Sequence, residues 1–160
     1  MTVTHHDTEI EVPTDLPHVI LRREFDAPVE KVYRAHVDPD LVAQWMGPHS
    51  TQVRIDQWDA RTGGSWRYVA TEGDNEYGFR GCFHELRPNE LIVQTFTWEG
   101  MPDGVALEKL VLEDLGNGRT RLTATSLVDS FEGRDGFLAS GMEVGVHEGY
   151  AKLDAILARS

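Results

Sequence analysis

Hydrophobic and polar residues alternate through much of residues 51–128, and the alternation is interrupted by short turn sequences. A period of two predicts β-strands, and glycine, asparagine and proline at the interruptions predict tight turns. The interruptions lie at residues 61–64, 72–75, 88–89 and 116–118. Because short connections join antiparallel neighbours, this part of the chain is predicted to form about six antiparallel strands.

One face of these strands is predicted to be buried and the other to face water. Arginine or lysine occupies positions 54, 67, 80, 109 and 121, which fall on the outer face. Either alternate set of residues in the segment Leu91–Trp98 could face inward. If Phe96 and Trp98 face inward, Gln94 does as well. The predicted inward positions are Val53, Ile55, Trp66, Tyr68, Phe79, Gly81, Phe83, Leu110, Leu112, Leu122 and Ala124.

Two short helices are predicted between a first strand, His18–Phe25, and the meander. The first follows Pro28 and has an apolar side that includes His36. The second starts at Asp38 or Asp40 and ends at Gly47 and Pro48.

The last predicted element is a long helix that follows a polar connection at residues 129–135 and ends near Ala158. Each glycine inside a helix costs about 1 kcal/mol relative to alanine, so glycines on the packing face need a reason. Two reasons stay open: close approach of a neighbouring backbone, or space for a ligand. The apolar stripe at 100° per residue holds Leu138, Met142, Gly145, Gly149, Leu153 and Ile156, with Gly141 at its margin.

These elements predict an α+β fold in which a curved antiparallel sheet of about six to seven strands wraps around a long C-terminal helix. Residues 1–17 are expected to form a weakly ordered N-terminal arm, with Ile10 and Val12 spaced as in a short edge strand. Residues 18–160 are expected to form one domain. His5 and His6 lie in the arm, and we expect solvation rather than metal binding.

Composition excludes several classes of function. The 160 residues include 15 basic and 27 acidic side chains, a net charge of −12 that disfavours nucleic acid and anionic membranes as partners. A single cysteine, Cys82, excludes an internal disulfide, and no stretch resembles a signal peptide or a membrane span. We therefore expect a cytoplasmic protein, with a homodimer left possible.

No constellation of reactive residues is convincing. The sequence has no phosphate-binding glycine loop, paired-cysteine metal site or nucleophile elbow, so we expect no catalytic residue, no metal and no cofactor. Cys82 and His84 are expected on an outer strand face, and His147, Glu143 and Asp154 on the water-facing side of the last helix. Asp59 and Arg61 are expected to form a structural ion pair.

Aromatic residues are the better indication of function. Trp66, Tyr68 and Phe79 occupy inward strand positions opposite the glycine-bearing helix, and ordinary core packing competes there with pocket lining. Residues 99–104 form either a lid or a solvated hairpin turn, with Met101 as the large apolar residue. His36 is read as a core histidine or a ligand contact, and His49 as a residue at a cavity rim.

Several short phrases, taken in order, resemble one protein family. They are Phe25-Asp26-Ala27-Pro28, Asp38-Pro39-Asp40-Leu41, Trp45-Met46-Gly47-Pro48, the segment at residues 59–67 and the helix around residues 141–145. They resemble the Hsp90-ATPase-activator-homologue branch of the START-like superfamily. The resemblance covers roughly residues 19–157, and it departs from the usual pattern at Met46 and Val146.

The resemblance implies a helix-grip fold of the START-like or Bet v 1-like type, with an apolar cavity between the sheet and the last helix. It favours binding of a small hydrophobic, aromatic or polyketide-like molecule without obligatory chemistry. A cyclase- or dehydratase-type enzyme is the alternative, and a chaperone-partner module is the second. The predicted ligand contacts are His36, His49, Trp66, Tyr68, Tyr77, Phe79, Trp98, Leu110, Met142, Gly145 and Gly149.

Overall fold

The computed structural model describes residues 7–159, so His5 and His6 lie outside the described residues. Eight strands and four helices are present in this range, and they confirm the α+β class. The strands are β1 (Glu9–Glu11), β2 (His18–Phe25), β3 (Gln52–Trp58), β4 (Ser65–Glu72), β5 (Asn75–Arg87), β6 (Leu91–Trp98), β7 (Ala106–Gly116) and β8 (Arg119–Leu127). The helices are α1 (Val29–Val37), α2 (Pro39–Trp45), α3 (Phe131–Ala139) and α4 (Met142–Arg159).

All eight strands belong to one antiparallel sheet with the order β1-β2-β8-β7-β6-β5-β4-β3. The expectation of six to seven strands was therefore too low, because the short N-terminal segment adds β1 to the edge of β2. Arg134 of α3 holds this region by donating to the carbonyl oxygens of Pro13, Leu16 and His18. Within the described part, the N-terminal arm is thus tied to the domain.

The helical end of the chain differs from the prediction. A single long helix was expected, but α3 and α4 are separate, and Gly141 lies between them with a φ of 88°. This left-handed conformation suits glycine, and it ends the first helix before the second begins. Part of the predicted polar connection is helical, with the Ser130 hydroxyl capping α3 at the Gly133 amide.

The buried residues form two clusters. The helix core joins the second half of α4 to α1, α2 and strands β2, β7 and β8; it contains Phe25, Ala27, Val32, Ala35, Trp45, Leu112, Leu122, Tyr150, Leu153, Ile156 and Leu157. The strand core lies on β4, β5 and β6 and contains Trp66, Tyr68, Phe83 and Ile92. Only half-buried residues, Tyr33, Met46 and Leu110, pack against both clusters.

Indole hydrogen bonds fix the two short helices to each other and to the sheet. The Trp45 Nε1 donates to the Ala35 carbonyl oxygen at 2.8 Å, and the Trp58 Nε1 donates to the Val37 carbonyl oxygen at 2.7 Å. The Asp38 side chain caps α2 by accepting from the Asp40 amide, as one of the two predicted caps. These bonds hold α1 and α2 over one end of the sheet.

Candidate ligand-binding cleft

The inner face of the central strands is filled at one end and open at the other. At the filled end the inward side chains of Phe83, Ile92, Leu112, Leu122 and Thr120 are buried under the helices. At the other end the inward side chains are half-buried, although they lie on the same face of the same strands. They are Phe79, Gln94, Phe96, Glu108, Leu110, Ala124 and Ser126.

Helix α4 shows the same change along its length. Its second half buries Tyr150, Leu153, Ile156 and Leu157, whereas Met142 and Val146 in the first half are only half-buried. The inward side chains at the open end of the sheet and those in the first half of α4 are therefore only half covered. We call the region between them the cleft.

Four aromatic rings from β4, β5 and β6 form one wall of the cleft, and we call them the aromatic wall: Trp66, Tyr68, Phe79 and Phe96. Their ring centroids are 5.6 Å apart for Trp66 and Tyr68, and 5.2 Å apart for Tyr68 and Phe79. Phe96 closes the set at 5.4 Å from Phe79 and 5.8 Å from Trp66. The structure thus settles the register of β6, because Phe96 and Gln94 both point inward.

A carboxylate interrupts this apolar face. Glu108 of β7 lies in register between Gln94 of β6 and Ser126 of β8. Its Oε1 accepts from the Gln94 amide nitrogen at 2.9 Å, and its Oε2 accepts from the Ser126 hydroxyl at 3.0 Å. Burial raises the pKa of the Glu108 carboxyl, and the two hydrogen bonds oppose that rise.

Two phenols face the same region. Burial raises the pKa of Tyr68 on β4 and of Tyr150 on α4, and the negative charge of Glu108 raises both further. Tyr68 lies three strands away from Glu108 in the sheet order, so the sheet must curve to bring them into electrostatic range. Neither phenol hydroxyl donates a hydrogen bond to another residue of the described range.

Deeper under α4 lies an ion pair that sequence reasoning placed wrongly. Asp154 was expected to face water with Glu143 and His147, but it pairs with Arg23 of the inner face at 2.5 Å and 3.1 Å. The two side chains are only 12% and 5% exposed. The Arg23 guanidinium also lies 4.9 Å from the centroid of the Phe25 ring. This pair joins the second half of α4 to the sheet.

The glycines of α4 do not point into the cleft as the ligand hypothesis required. A Cβ on Gly149 would lie 3.1 Å from the carbonyl oxygen of Trp45, so this glycine permits close approach of α4 to the end of α2. A Cβ on Gly145 would lie 3.5 Å from the Cδ of Pro48, an ordinary contact. Close approach of the α2 backbone therefore explains why residue 149 is a glycine. Gly141 adopts the left-handed conformation that separates α3 from α4.

The two candidate histidines lie on the helix side of the molecule. His36 donates from Nδ1 to the Val32 carbonyl oxygen at 2.7 Å and packs edge-on against Trp45, with ring centroids 5.1 Å apart. Burial lowers the pKa of His36, which favours the neutral imidazole. The His49 side chain is 59% exposed, and its backbone amide donates to Glu148 of α4.

The remaining predicted contacts lie at or near the open end. Leu110 packs against both core clusters, and Tyr77 pairs with Ala70 where β4 and β5 approach their hairpin. Trp98 is 41% exposed at the end of β6. In the loop that follows, Glu99 accepts two hydrogen bonds from Arg67, at 2.7 Å and 2.9 Å, and Met101 is 65% exposed.

Two grooves open on the opposite side of the molecule, near the C-terminal end of α4. One, of about 630 Å³, is lined by Gln44, Lys152, Ala155, Ile156, Ala158 and Arg159. The other, of about 210 Å³, is lined by Lys31, Arg34, Ala35, Leu41, Ile156 and Leu157. None of the predicted ligand contacts lines either groove.

Two further properties bear on what the site can hold. Within residues 7–159 no cluster of histidine, cysteine, aspartate and glutamate is suited to a metal ion. No helix of that range has the length and hydrophobicity that a bilayer span requires.

The profile of the family described as "Activator of Hsp90 ATPase homolog 1-like protein" matches residues 26–158. The chain belongs to this family. The Hsp90-activator-homologue family is a branch of the START-like superfamily, so the resemblance seen in the short sequence phrases is confirmed. Membership supports a ligand-binding or Hsp90-activator-like module in general terms.

Solved structures agree with this assignment. A protein from Rhodobacter sphaeroides is 26% identical, with 94% of this chain and 98% of that one covered and a TM-score of 0.85. A protein from Arthrobacter aurescens is 25% identical, with 99% and 94% covered and a TM-score of 0.86. Protein Ms6760 from Mycobacterium smegmatis, at 22% identity, covers 94% and 96% with a TM-score of 0.84 and shares the fold. None of the curated proteins matches the chain.

In this member of the Hsp90-activator-homologue family, sequence reasoning allowed for an inward Gln94 and placed Tyr68 inward, but it missed two further polar residues of the cleft, Glu108 and Ser126. Glu108 lies two residues before Leu110, and Ser126 lies two residues after Ala124, so both face inward with them. The alternation along the sequence contains this information. Parity alone does not identify them as site residues, because charged and polar residues on strands are mostly solvated. Tyr150 follows Gly149 directly, so on the helix it lies about 100° away from that position of the predicted apolar stripe.

Proposed function

We propose that this protein binds a small, mostly apolar, aromatic molecule in the cleft. The observation that carries the proposal is the half-buried inner face, where Phe79, Phe96 and Leu110 keep accessible surface although they point toward the core side of the sheet. Aromatic side chains around a concave space with few polar groups are typical of ligand sites. The same family and fold support a ligand-binding role.

The open end also has apolar surroundings. Trp98 and Met101 are exposed beside β6, and Val144 is 56% exposed on the first turns of α4. The sheet connections place the β6–β7 loop at the same end as Glu108, because β7 begins there. An aromatic ligand entering at this end would meet apolar side chains before it reached the aromatic wall.

A fluorescent neutral probe, N-phenyl-1-naphthylamine, tests the proposal. Ala106 is a half-buried inward residue at the start of β7, opposite Phe96, so Ala106→Phe should occupy the cleft. We expect the unmodified protein to enhance probe fluorescence and the variant to bind about tenfold more weakly or worse, a loss of about 1.4 kcal/mol.

Lys109→Phe is the matched control, because Lys109 lies on the outer face of the same strand and is exposed. This control should bind the probe like the unmodified protein. Equal binding by a folded Ala106→Phe variant would contradict the proposal. Native mass spectrometry of freshly purified protein, searched for a co-purifying small molecule, would identify the natural ligand.

The second candidate is a cyclase- or dehydratase-type enzyme, and the buried group of Glu108, Tyr68 and Tyr150 is the observation that favours it. A general base or acid needs a hydrogen-bonded partner and a suitable pKa. The raised pKa values keep both tyrosines protonated at neutral pH and make them weak acids, and their hydroxyls lack a described hydrogen-bond partner. Binding without chemistry therefore ranks first. Turnover of a polyketide-like substrate that is lost in Glu108→Gln would reverse the ranking.

The third candidate, a chaperone-partner module, is supported by the family description alone. Stimulation of the ATPase activity of purified Hsp90 would support it directly.

A further inference from the structure

Glu108 occupies an unusual position for a carboxylate. It lies on the inner face of the sheet, and its neighbours along β7 on that face are Ala106 and Leu110. Both of its hydrogen-bond partners, Gln94 and Ser126, are neutral donors. A carboxylate has about four lone-pair positions, so two such bonds leave acceptor capacity for a further donor.

No counter-charge reaches Glu108 from the described part of the chain. Arg23 is the buried arginine of the inner face, and it is paired with Asp154 of α4. The other titratable groups that point to the interior of the described range are the His36 imidazole on α1 and four phenols, those of Tyr33 on α1, Tyr68 on β4, Tyr77 on β5 and Tyr150 on α4. A buried carboxylate usually has a cationic partner, because an isolated buried charge is costly.

The aromatic wall supplies a second group that attracts positive charge. The faces of tryptophan, tyrosine and phenylalanine rings carry negative electrostatic potential, and organic ammonium ions bind against them. Trp66, Tyr68, Phe79 and Phe96 form a continuous set with centroid separations of 5.2–5.8 Å. Glu108 pairs with Gln94, and Phe96 follows Gln94 by two residues on the same face of the adjacent strand.

We propose that Glu108 is the recognition group for a cationic amine, so that the ligand of the cleft is an aromatic molecule that carries an ammonium group. This inference rests on the proposed ligand-binding function and specifies its chemistry. The ammonium would donate to Glu108, while the aromatic body of the ligand lies against the aromatic wall. The net charge of −12 favours the approach of cations over anions.

A neutral alcohol or phenol also donates hydrogen bonds, so charge is the property that must be tested. Charge-assisted hydrogen bonds are roughly twice as strong as neutral ones, and the difference is largest where water is excluded. Burial raises the pKa of Glu108 in the absence of ligand, whereas an ammonium partner favours the ionised carboxylate. Amine binding should therefore lower the pKa of Glu108.

The experiment compares 2-naphthylmethylamine with its neutral counterpart, 2-naphthalenemethanol, by calorimetric titration of the full chain at neutral pH. We expect the amine to bind about tenfold more tightly than the alcohol. Glu108→Gln should abolish this preference and leave alcohol binding unchanged.

Two controls separate local from general effects. Glu113→Gln removes one negative charge from the outer face of the same strand, where Glu113 pairs with Arg121, and should keep the amine preference. Ser126→Ala keeps the carboxylate and removes one of its hydrogen bonds, so the preference should persist. If Glu108→Gln fails to fold, Glu108→Asp replaces it: the shorter side chain should weaken the amine preference, and an unchanged preference in the folded variant would overturn the assignment of Glu108.

The possible results separate the assignment of Glu108 from the ligand-binding function. Equal binding of both probes to the unmodified protein, or an amine preference that survives Glu108→Gln, overturns the assignment of Glu108 and leaves the cleft as an aromatic binding site. Failure of both probes to bind overturns the ligand-binding function as well.

Discussion

At the scale of single residues, the inner face of the sheet contains two ionisable groups in opposite situations. The charge of Arg23 is neutralised, because its guanidinium donates two hydrogen bonds to the Asp154 carboxylate of α4. Among the described residues, Glu108 accepts hydrogen bonds from Gln94 and Ser126 only, and these side chains carry no charge. The Arg23–Asp154 pair joins helix to sheet. Desolvation of the ionised Glu108 carboxylate, by contrast, destabilises the folded state.

The first prediction concerns Glu108→Gln and pH. A folded-state pKa above the unfolded value means that the folded protein binds the proton more tightly, so Glu108 lowers the free energy of unfolding as the pH rises. The loss begins near pH 4.3, about the unfolded carboxyl pKa, and is complete once the pH exceeds the folded pKa. Urea denaturation should find the variant increasingly more stable than the unmodified protein over this window.

The control for this prediction is Glu113→Gln on the exposed outer face of β7. Its stability difference from the unmodified protein should change little over the same pH range. A Glu108→Gln difference that stays constant with pH would show that burial does not disfavour the ionised carboxylate.

The second prediction concerns Asp154→Ala. Removing one partner of a buried ion pair leaves the other charge uncompensated, and we expect a loss of about 3 kcal/mol in the free energy of unfolding. The double variant Arg23→Met, Asp154→Ala should recover part of this loss, since no charge then remains under α4. A cost below about 1 kcal/mol, as for exposed pairs, would mean that water reaches Arg23 in the folded state.

At the scale of elements, α4 consists of two halves with different roles. The second half packs into the helix core and carries Asp154, while the first half stands over the open end of the sheet. Gly149 sits at the boundary, where α4 meets the carbonyl oxygen of Trp45 at the end of α2. The crossing of α4 over α2 therefore depends on a missing side chain.

The third prediction uses the two helical glycines as a matched pair. Gly145→Ala should raise the free energy of unfolding by up to about 1 kcal/mol, because alanine is the better helix former and its Cβ makes an ordinary contact. Gly149→Ala should gain less, and Gly149→Leu should lose about 1–3 kcal/mol through overpacking against backbone. Chemical denaturation monitored by circular dichroism measures all three.

Equal gains from Gly145→Ala and Gly149→Ala would contradict the close contact at Gly149. Because a Cβ on Gly149 would meet the Trp45 carbonyl oxygen, Gly149→Leu tests the helix crossing and not the volume of the cleft.

At the scale of the whole molecule, the protein has a rigid end and an open end. The helix core lies under α1, α2 and the second half of α4, and the strand core is separated from it by the half-buried residues Tyr33, Met46 and Leu110. A continuous core would join the two clusters through buried contacts. Under the proposed function, a ligand would complete the packing between the two clusters.

The fourth prediction concerns hydrogen exchange across the chain. Amides of residues 150–157 and of the paired centre of β7 and β8 should exchange slowest, because opening them disrupts the helix core. Amides of residues 142–147 should exchange faster, and a bound aromatic amine should slow them selectively. Mass-spectrometric exchange with and without 2-naphthylmethylamine measures both effects; uniform protection along α4 would contradict the two-part description.

Alternation along the strands and the turn sequences between them predicted the meander β3–β8 and most of its inner face. Ile55 and Trp66 lie on the expected face, and Cys82 is exposed as expected. The helices were predicted less well. In the sequence Gly141 lies at the margin of an apolar stripe, and the break between α3 and α4 is evident only from its left-handed conformation. The position of Asp154 was wrong because its partner, Arg23, is 131 residues away.

The family and its fold were determined by the sequence alone, since they rest on local periodicity, turn chemistry and short phrases that each act over a few residues. The tertiary structure decided which side chains meet in the cleft. Register places Glu108 between Gln94 and Ser126, curvature brings Tyr68 toward it, and the crossing of α4 over α2 directs Gly149 away from it. These relations arise from contacts between distant segments, which periodicity along one segment does not encode.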